Sequence, residues 1–272
     1  MYKRLLVAID GSAIAESILP YALGICRATQ SQLTLVRVVD EEGHRAQASS
    51  YVDALAAKFD AESRCVSAHG DVAAALLKEA ARVPGTLVTM STHGRSGVLG
   101  VALGSVAMKV LRGGHDPVLM YCPHEVSTAD PSAPIKITRV LAPIDATPSA
   151  ESIGDQAGEL ARWLGAQLVM ISVIDPHAMA AADAPPGDLS ESTLVRSRAT
   201  HLGNQYGVEF SWEVLHSDQP DKAIAAYIGE DRGTMLAMVT RANAAPVSAA
   251  LLGSVTTGCL RKAGVPIFIR LP

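Results

Sequence analysis

Continuous apolar runs alternate with stretches in which apolar positions recur every three or four residues, and this alternation continues along the chain. Leu5–Ile9, Leu33–Val39, Thr86–Met90 and Pro117–Tyr121 are the runs of the first half. Strands covered on both faces read this way, because neither face needs polar positions. Glu62–Ala68 alternates instead and predicts a strand nearer an edge. Ser17–Thr29, Tyr51–Phe59, Asp71–Ala81 and Val106–Gly113 carry helical periodicity. Asp71 is placed to cap its helix, with Ala73, Leu76, Leu77 and Ala80 on one face. Five strands alternating with four helices predict an α/β fold, an open doubly wound parallel sheet with helices on both faces. The second half repeats the plan, with strands over Val140–Ile144, Leu168–Ile174, Phe210–Leu215, Leu236–Val239 and Ile267–Arg270.

The halves are copies. Arg4-Leu5-Leu6-Val7-Ala8-Ile9-Asp10 matches Arg139-Val140-Leu141-Ala142-Pro143-Ile144-Asp145, and Leu103–Val106 matches Leu252–Val255. The second copy is longer by about fourteen residues, most simply in Asp175–Glu191, where Pro185-Pro186-Gly187 reads as a loop. A repeat this long means two fused domains, 1–126 and 135–272, joined by a linker over 127–134 where Ser, Asp, Ala and two prolines cluster. Each is a five-stranded sheet on this reading.

Composition narrows the picture. Of 272 residues, 49% are hydrophobic and only 4% aromatic, as expected for Ala/Val/Leu/Ile cores under helices. A net charge of −4 gives no basic stripe for nucleic acid, and no apolar run reaches the length of a membrane span. Met1–Arg4 leads into a first strand rather than a signal peptide. Cys26, Cys65, Cys122 and Cys259 form no metal or redox spacing and read as reduced, buried thiols in a cytoplasmic protein.

Candidate chemistry concentrates after the fourth strand. Met90-Ser91-Thr92-His93-Gly94, then nine residues, then Gly104-Ser105-Val106, joins a strand to a helix. N–H groups at a helix N-terminus carry partial positive charge, and glycine lets them approach a phosphate oxygen closely. Ser105 is placed to cap that helix and to donate a hydroxyl. Asp10, ending the first strand, would hold a divalent cation or a hydroxyl of a phosphate ligand; the alternative is a cap for a helix starting near Ser12. In such sheets ligands bind beyond the carboxyl ends of the strands, where strand order reverses. No Gly-Lys-Ser/Thr and no Gly-x-Gly-x-x-Gly after the first strand is present. His93 either touches phosphate or packs at the strand end, and Arg95 either nears the γ-phosphate or is solvated. His69-Gly70-Asp71 and His216-Ser217-Asp218 read as strand-end turns with an Asp helix cap rather than as catalytic pairs.

With these motifs, the two halves resemble tandem universal stress protein domains over nearly the whole chain. The resemblance rests on Val7-Ala8-Ile9-Asp10-Gly11-Ser12, Met90–Ser96, Gly104-Ser105-Val106 and Pro117-Val118-Leu119. ATP-binding members show Gly, two residues, Gly, nine residues, Gly and Ser or Thr; here Ser91 replaces the first glycine. The resemblance implies ATP as ligand, with Asp10 by the ribose and phosphates and Val38 touching adenine through its backbone. Met90, Ser91, Thr92, Gly94, Arg95, Gly104, Ser105 and Val106 would line the phosphates. A metal would enter only as Mg bound to the nucleotide near Asp10. Members of that family pair through their last strand, which implies an intrachain pseudo-dimer here and leaves a homodimer open.

The second copy departs from the pattern. Gly11-Ser12 becomes Ala146-Thr147, Asn243 stands for Gly94, and Pro246 lacks an N–H, so this loop is expected to keep the fold and lose the phosphate cradle. The function implied is an ATP-binding regulatory protein of the stress response that turns ATP over slowly or not at all. The alternatives are a slow ATPase or nucleotide-dependent enzyme, and an interaction module without nucleotide.

Overall fold

The computed structural model describes residues 1–40, 42–92, 103–114, 116–123, 132–144, 149–177, 188–239 and 252–270. Two compact units emerge: Met1–Lys136 with Phe268–Leu271, and Ile137–Ile267. Among the described residues each half of the chain carries five strands, in the mixed α/β arrangement that the alternation predicts.

The first unit runs β1 (Arg4–Ala8), α1 (Ala13–Glu16), α2 (Leu19–Thr29), β2 (Gln32–Val39), α3 (Arg45–Lys58), β3 (Glu62–Ser67), α4 (Val72–Ala81), β4 (Thr86–Ser91), α5 (Ser105–Gly113) and β5 (Val118–Tyr121). Its strands lie in the order β3-β2-β1-β4-β5, and every neighbouring pair is parallel. Leu5 is in register with Leu33 on one side and Leu87 on the other. Leu5, Leu6 and Val7 are wholly buried, so the central strand has no solvent face. Strand order reverses between β1 and β4, which opens a crevice above their carboxyl ends.

The helix predicted over Ser17–Thr29 is α2, starting at Leu19, and a separate short helix, α1, precedes it. Ser12 caps α1, and α2 carries Pro20 in its first turn, where a missing N–H costs nothing. Gly24 on α2 lies against residues that follow the linker. Ile135 N–H donates to the Pro20 carbonyl at 2.9 Å, and a Cβ at Gly24 would overlap the Ile135 carbonyl oxygen. Phe268 belongs to this unit too, its ring meeting the Tyr2 ring edge-on at 6.1 Å.

The second unit runs β6 (Arg139–Pro143), α6 (Ser149–Leu164), β7 (Gln167–Ile174), α7 (Asp188–Tyr206), β8 (Phe210–His216), α8 (Pro220–Ile228), β9 (Thr234–Val239) and α9 (Ser254–Lys262), leading to β10 (Ile267–Arg270). The order β9-β6-β7-β8 repeats that of β4-β1-β2-β3, again parallel. The predicted loop Asp175–Glu191 is shorter than expected, since α7 begins at Asp188; residues 178–187 lie outside the described set, as do 127–131 of the linker.

The copies share an anchor at the opposite end of the sheet from the crevice. Arg4 Nε donates to Thr86 Oγ1 at 2.9 Å, and Arg139 Nε donates to the matching Thr234 Oγ1. Arg4 is 2% exposed and pairs with Glu79 at 3.7 Å; Arg139 pairs with Asp231 at 2.8 Å. All four cysteines are free thiols. Cys122 and Cys259 are buried, whereas Cys26 and Cys65 are half-buried. Burial pushes the Cys26 and Cys259 thiols up to about 12. Among the described residues no helix is long and apolar enough to cross a membrane.

Candidate functional site

Three chain segments meet above the carboxyl ends of β2, β1 and β4. At the end of β1, Ile9 N–H still donates to the Val36 carbonyl at 2.9 Å, and then the chain turns. Gly11 takes φ +85°, a conformation that side-chain-bearing residues rarely adopt. The turn lets Asp10 Oδ1 accept from Ser12 N–H at 2.9 Å and Ser12 Oγ at 2.6 Å. Ser12 Oγ in turn accepts from Ala15 N–H at 3.1 Å. Asp10 therefore orients the cap of α1 without being that cap, which is Ser12.

Val38 sits on β2 two residues after Val36. Strand periodicity turns the N–H and C=O of Val36 and Val38 to the same side. Val36 uses its carbonyl on Ile9, whereas Val38 lies beyond the end of β1, so its backbone edge faces the crevice. Its neighbour Val39 points the other way and accepts from Ala68 N–H. This is the arrangement a base needs for recognition through main-chain atoms.

At β4, Met90 and Ser91 close the strand and Thr92 follows, all three buried. Ser91 Oγ donates to the Ile14 carbonyl at 2.7 Å, tying β4 to α1; its proton is thereby committed inside the protein. Thr92 N–H donates to the Tyr121 carbonyl at 2.9 Å, and Gly104 N–H donates to the Thr92 carbonyl at 2.8 Å. That last bond brings the two ends of the glycine loop together and delivers α5 to the crevice. Gly94, Arg95 and His93 lie outside the described residues.

The start of α5 differs from the expectation. Gly104 is the N-cap, Ser105 is the first helical residue, and no side chain caps the helix. Ser105 and Val106 therefore open the first turn, whose N–H groups lack a side-chain acceptor. Gly104 has φ −72° and ψ 162°, which any residue adopts, so its backbone does not demand glycine. The matching Gly253 of the second unit has φ 70° and ψ 155°, where glycine is required. Ser254 likewise is the first residue of α9 rather than its cap. Asp145, Asn243 and Pro246, which carry the comparison of the two loops, fall outside the described residues.

A second cluster flanks Asp10, and the sequence reading missed it. Tyr51 Oη donates to Glu16 Oε1 at 2.5 Å. Burial, that bond and the charges of Glu16 and Asp10 push the Tyr51 hydroxyl well above the ordinary phenol value. The Arg37 guanidinium stacks over the Tyr51 ring at 5.8 Å. A Cβ built at Gly11 would stand 3.0 Å from Arg37 Nη1, so the guanidinium packs against the turn that holds Asp10. The one available signal was a charged residue inside the apolar run Leu33–Val39.

The two His-x-Asp segments resolve differently. Asp71 caps α4, Oδ1 accepting from Ala73 and Ala74 N–H at 3.0 and 3.1 Å, after His69 and Gly70 turn through positive φ. Asp218 caps nothing: α8 starts at Pro220 behind Gln219, and Ser217 Oγ accepts from Gln219 N–H at 3.0 Å. Among the described residues no group of His, Cys, Asp and Glu is arranged to hold a metal ion directly.

The universal stress protein family matches residues 1–121 and 136–269. Universal stress protein MJ0531 of Methanocaldococcus jannaschii is 24% identical over 141 residues, spanning 44% of this chain and 82% of that one. A solved universal stress protein from Archaeoglobus fulgidus superposes with a TM-score of 0.69 at 20% identity, covering 100% of this chain and 99% of the other. Protein PA1789 of Pseudomonas aeruginosa, described as functionally unknown, gives 0.65 at 19% identity, with coverage of 100% and 93%. These structural likenesses speak to the fold.

Proposed function

The chain belongs to the universal stress protein family, and from that premise we propose that it is an ATP-binding regulatory protein whose nucleotide is held mainly by the first unit. The observation that carries this reading is the convergence above β2, β1 and β4: the free backbone edge of Val38, the carboxylate of Asp10, and a helix start at Gly104–Val106 without a side-chain cap. Adenine against Val38, ribose near Asp10 and phosphates at α5 follow the order in which the strands lie. Met90, Ser91 and Thr92 form the floor, and Gly94 and Arg95 complete the phosphate loop. Mg enters on the nucleotide, near Asp10. The second unit serves a structural role.

The test is the mass spectrum of small molecules released on denaturing freshly purified protein, followed by calorimetry. ATP bound at one site per chain supports the reading, and a protein that neither carries nor takes up nucleotide ends it. Asp10→Ala is expected to weaken ATP by about 1–3 kcal/mol, the usual worth of a charged hydrogen bond.

A further inference from the structure

We propose that Arg37 is a ligand-binding residue of the first unit, its guanidinium held for the phosphate nearest the sugar of a bound nucleotide. This rests on the nucleotide reading above and adds a residue to it. Arg37 is 9% exposed, and its Nε and Nη1 are buried with no hydrogen-bond partner. Buried donors are almost always satisfied, and a buried charge left alone is costly, so the group calls for an acceptor that arrives from outside.

The nearby acceptors are already engaged. Asp10 Oδ1 takes both Ser12 donors, and Glu16 Oε1 takes the Tyr51 hydroxyl. Neither carboxylate comes within ion-pair distance of Arg37 among the described contacts. The guanidinium is nevertheless held in place, over the Tyr51 ring and against the Gly11 turn. Gly11 suits this packing, since a side chain there would press on Nη1. A planar guanidinium fixed in this way is matched to phosphate oxygens, and the chain has no phosphate-loop lysine to do that work.

Position selects which phosphate. Arg37 is on β2 beside the turn that follows β1, on the sugar side of the proposed site, whereas the start of α5, which follows β4, lies further across the sheet. The sugar-proximal phosphate falls to Arg37 and the distal ones to α5.

The test is calorimetric titration of the full chain with adenosine, AMP and ATP, in wild type and in Arg37→Met and Arg37→Lys. Arg37→Met is expected to weaken AMP and ATP by about tenfold or more while adenosine stays within about threefold. Arg37→Lys should recover part of the AMP affinity, and added salt should weaken AMP binding more in wild type than in Arg37→Met. Without ligand, Arg37→Met should melt close to wild type, because the charge it removes has no hydrogen-bond or ion-pair partner to lose and gives up only its stacking on Tyr51. Unchanged AMP affinity, equal losses for adenosine and AMP, or unfolding of both variants would each overturn the assignment. A wild type that binds adenosine or ATP while Arg37→Met behaves identically sinks the Arg37 role alone. A wild type that binds none of the three sinks the nucleotide reading and the inference together.

Discussion

Gly253 and Gly104 stand at matching places in the repeat and answer to different physics. Gly253 holds a backbone conformation that is nearly closed to other residues, whereas Gly104 holds one open to all. Gly253→Ala should therefore cost about 1–3 kcal/mol of unfolding free energy and leave ATP binding unchanged, while Gly104→Ala should leave the melting temperature close to wild type and weaken ATP through the added methyl alone. Paired melting curves and titrations of the two variants check this. The difference was invisible in the sequence, where both read Leu-Gly-Ser-Val, because φ at a helix start is set by the path of the preceding loop. The same blindness applied to Ser105 and Ser254, good capping types that sit one residue too late to cap. The placement of Asp10 after β1 and of Val38 near the end of β2 was legible from the apolar runs they terminate. Arg37, Glu16 and Tyr51 were not, since three residues from three elements make one cluster only after folding.

Among the elements, the parallel strands were the most legible, because a strand buried on both faces leaves an unbroken apolar run. Helix boundaries were less so: the helix expected from Ser17 starts at Leu19, after a separate short α1, and α7 begins inside a stretch whose prolines and glycine read as loop. The contact between α4 and the sheet supplies two predictions. Glu79 is 3% exposed and meets Arg4 at 3.7 Å, Arg82 at 3.1 Å and Arg64 at 3.8 Å. Glu79→Ala would leave the Arg4 guanidinium buried without its counter-charge and should cost about 3–5 kcal/mol, measurable by urea denaturation. At the other end of α4, the Ala74 N–H bond, helped by Lys109 and Ala73, holds the Asp71 carboxyl below its ordinary value. A depressed carboxylate contributes stability above its unfolded pKa of about 4 and loses it as pH falls through the folded value. Wild type should thus melt above Asp71→Asn at neutral pH, and the gap should close as the solution is taken below about pH 4. Asn keeps the capping oxygen, so the comparison reads the charge.

At the scale of the molecule, the duplication was plain from the matched strands, and the family match spans both copies. What the linear repeat could not reveal is that the compact units do not follow the repeat boundary: Phe268 belongs to the first unit, its ring against Tyr2. A fragment ending at Lys136 should therefore melt below the corresponding transition of the full chain, lacking the partner of Tyr2. An added peptide spanning the β10 strand should recover part of the difference, and a fragment as stable as the intact unit would remove the dependence.

That partition also bears on how the protein is made. A growing chain emerges from the ribosome N-terminus first, and domains generally fold as they emerge. Here the first unit waits for a segment that is synthesised only after the whole of the second. Its final contacts can form only late in translation, so an interrupted chain would carry a first half that has its strands but not its closing residues.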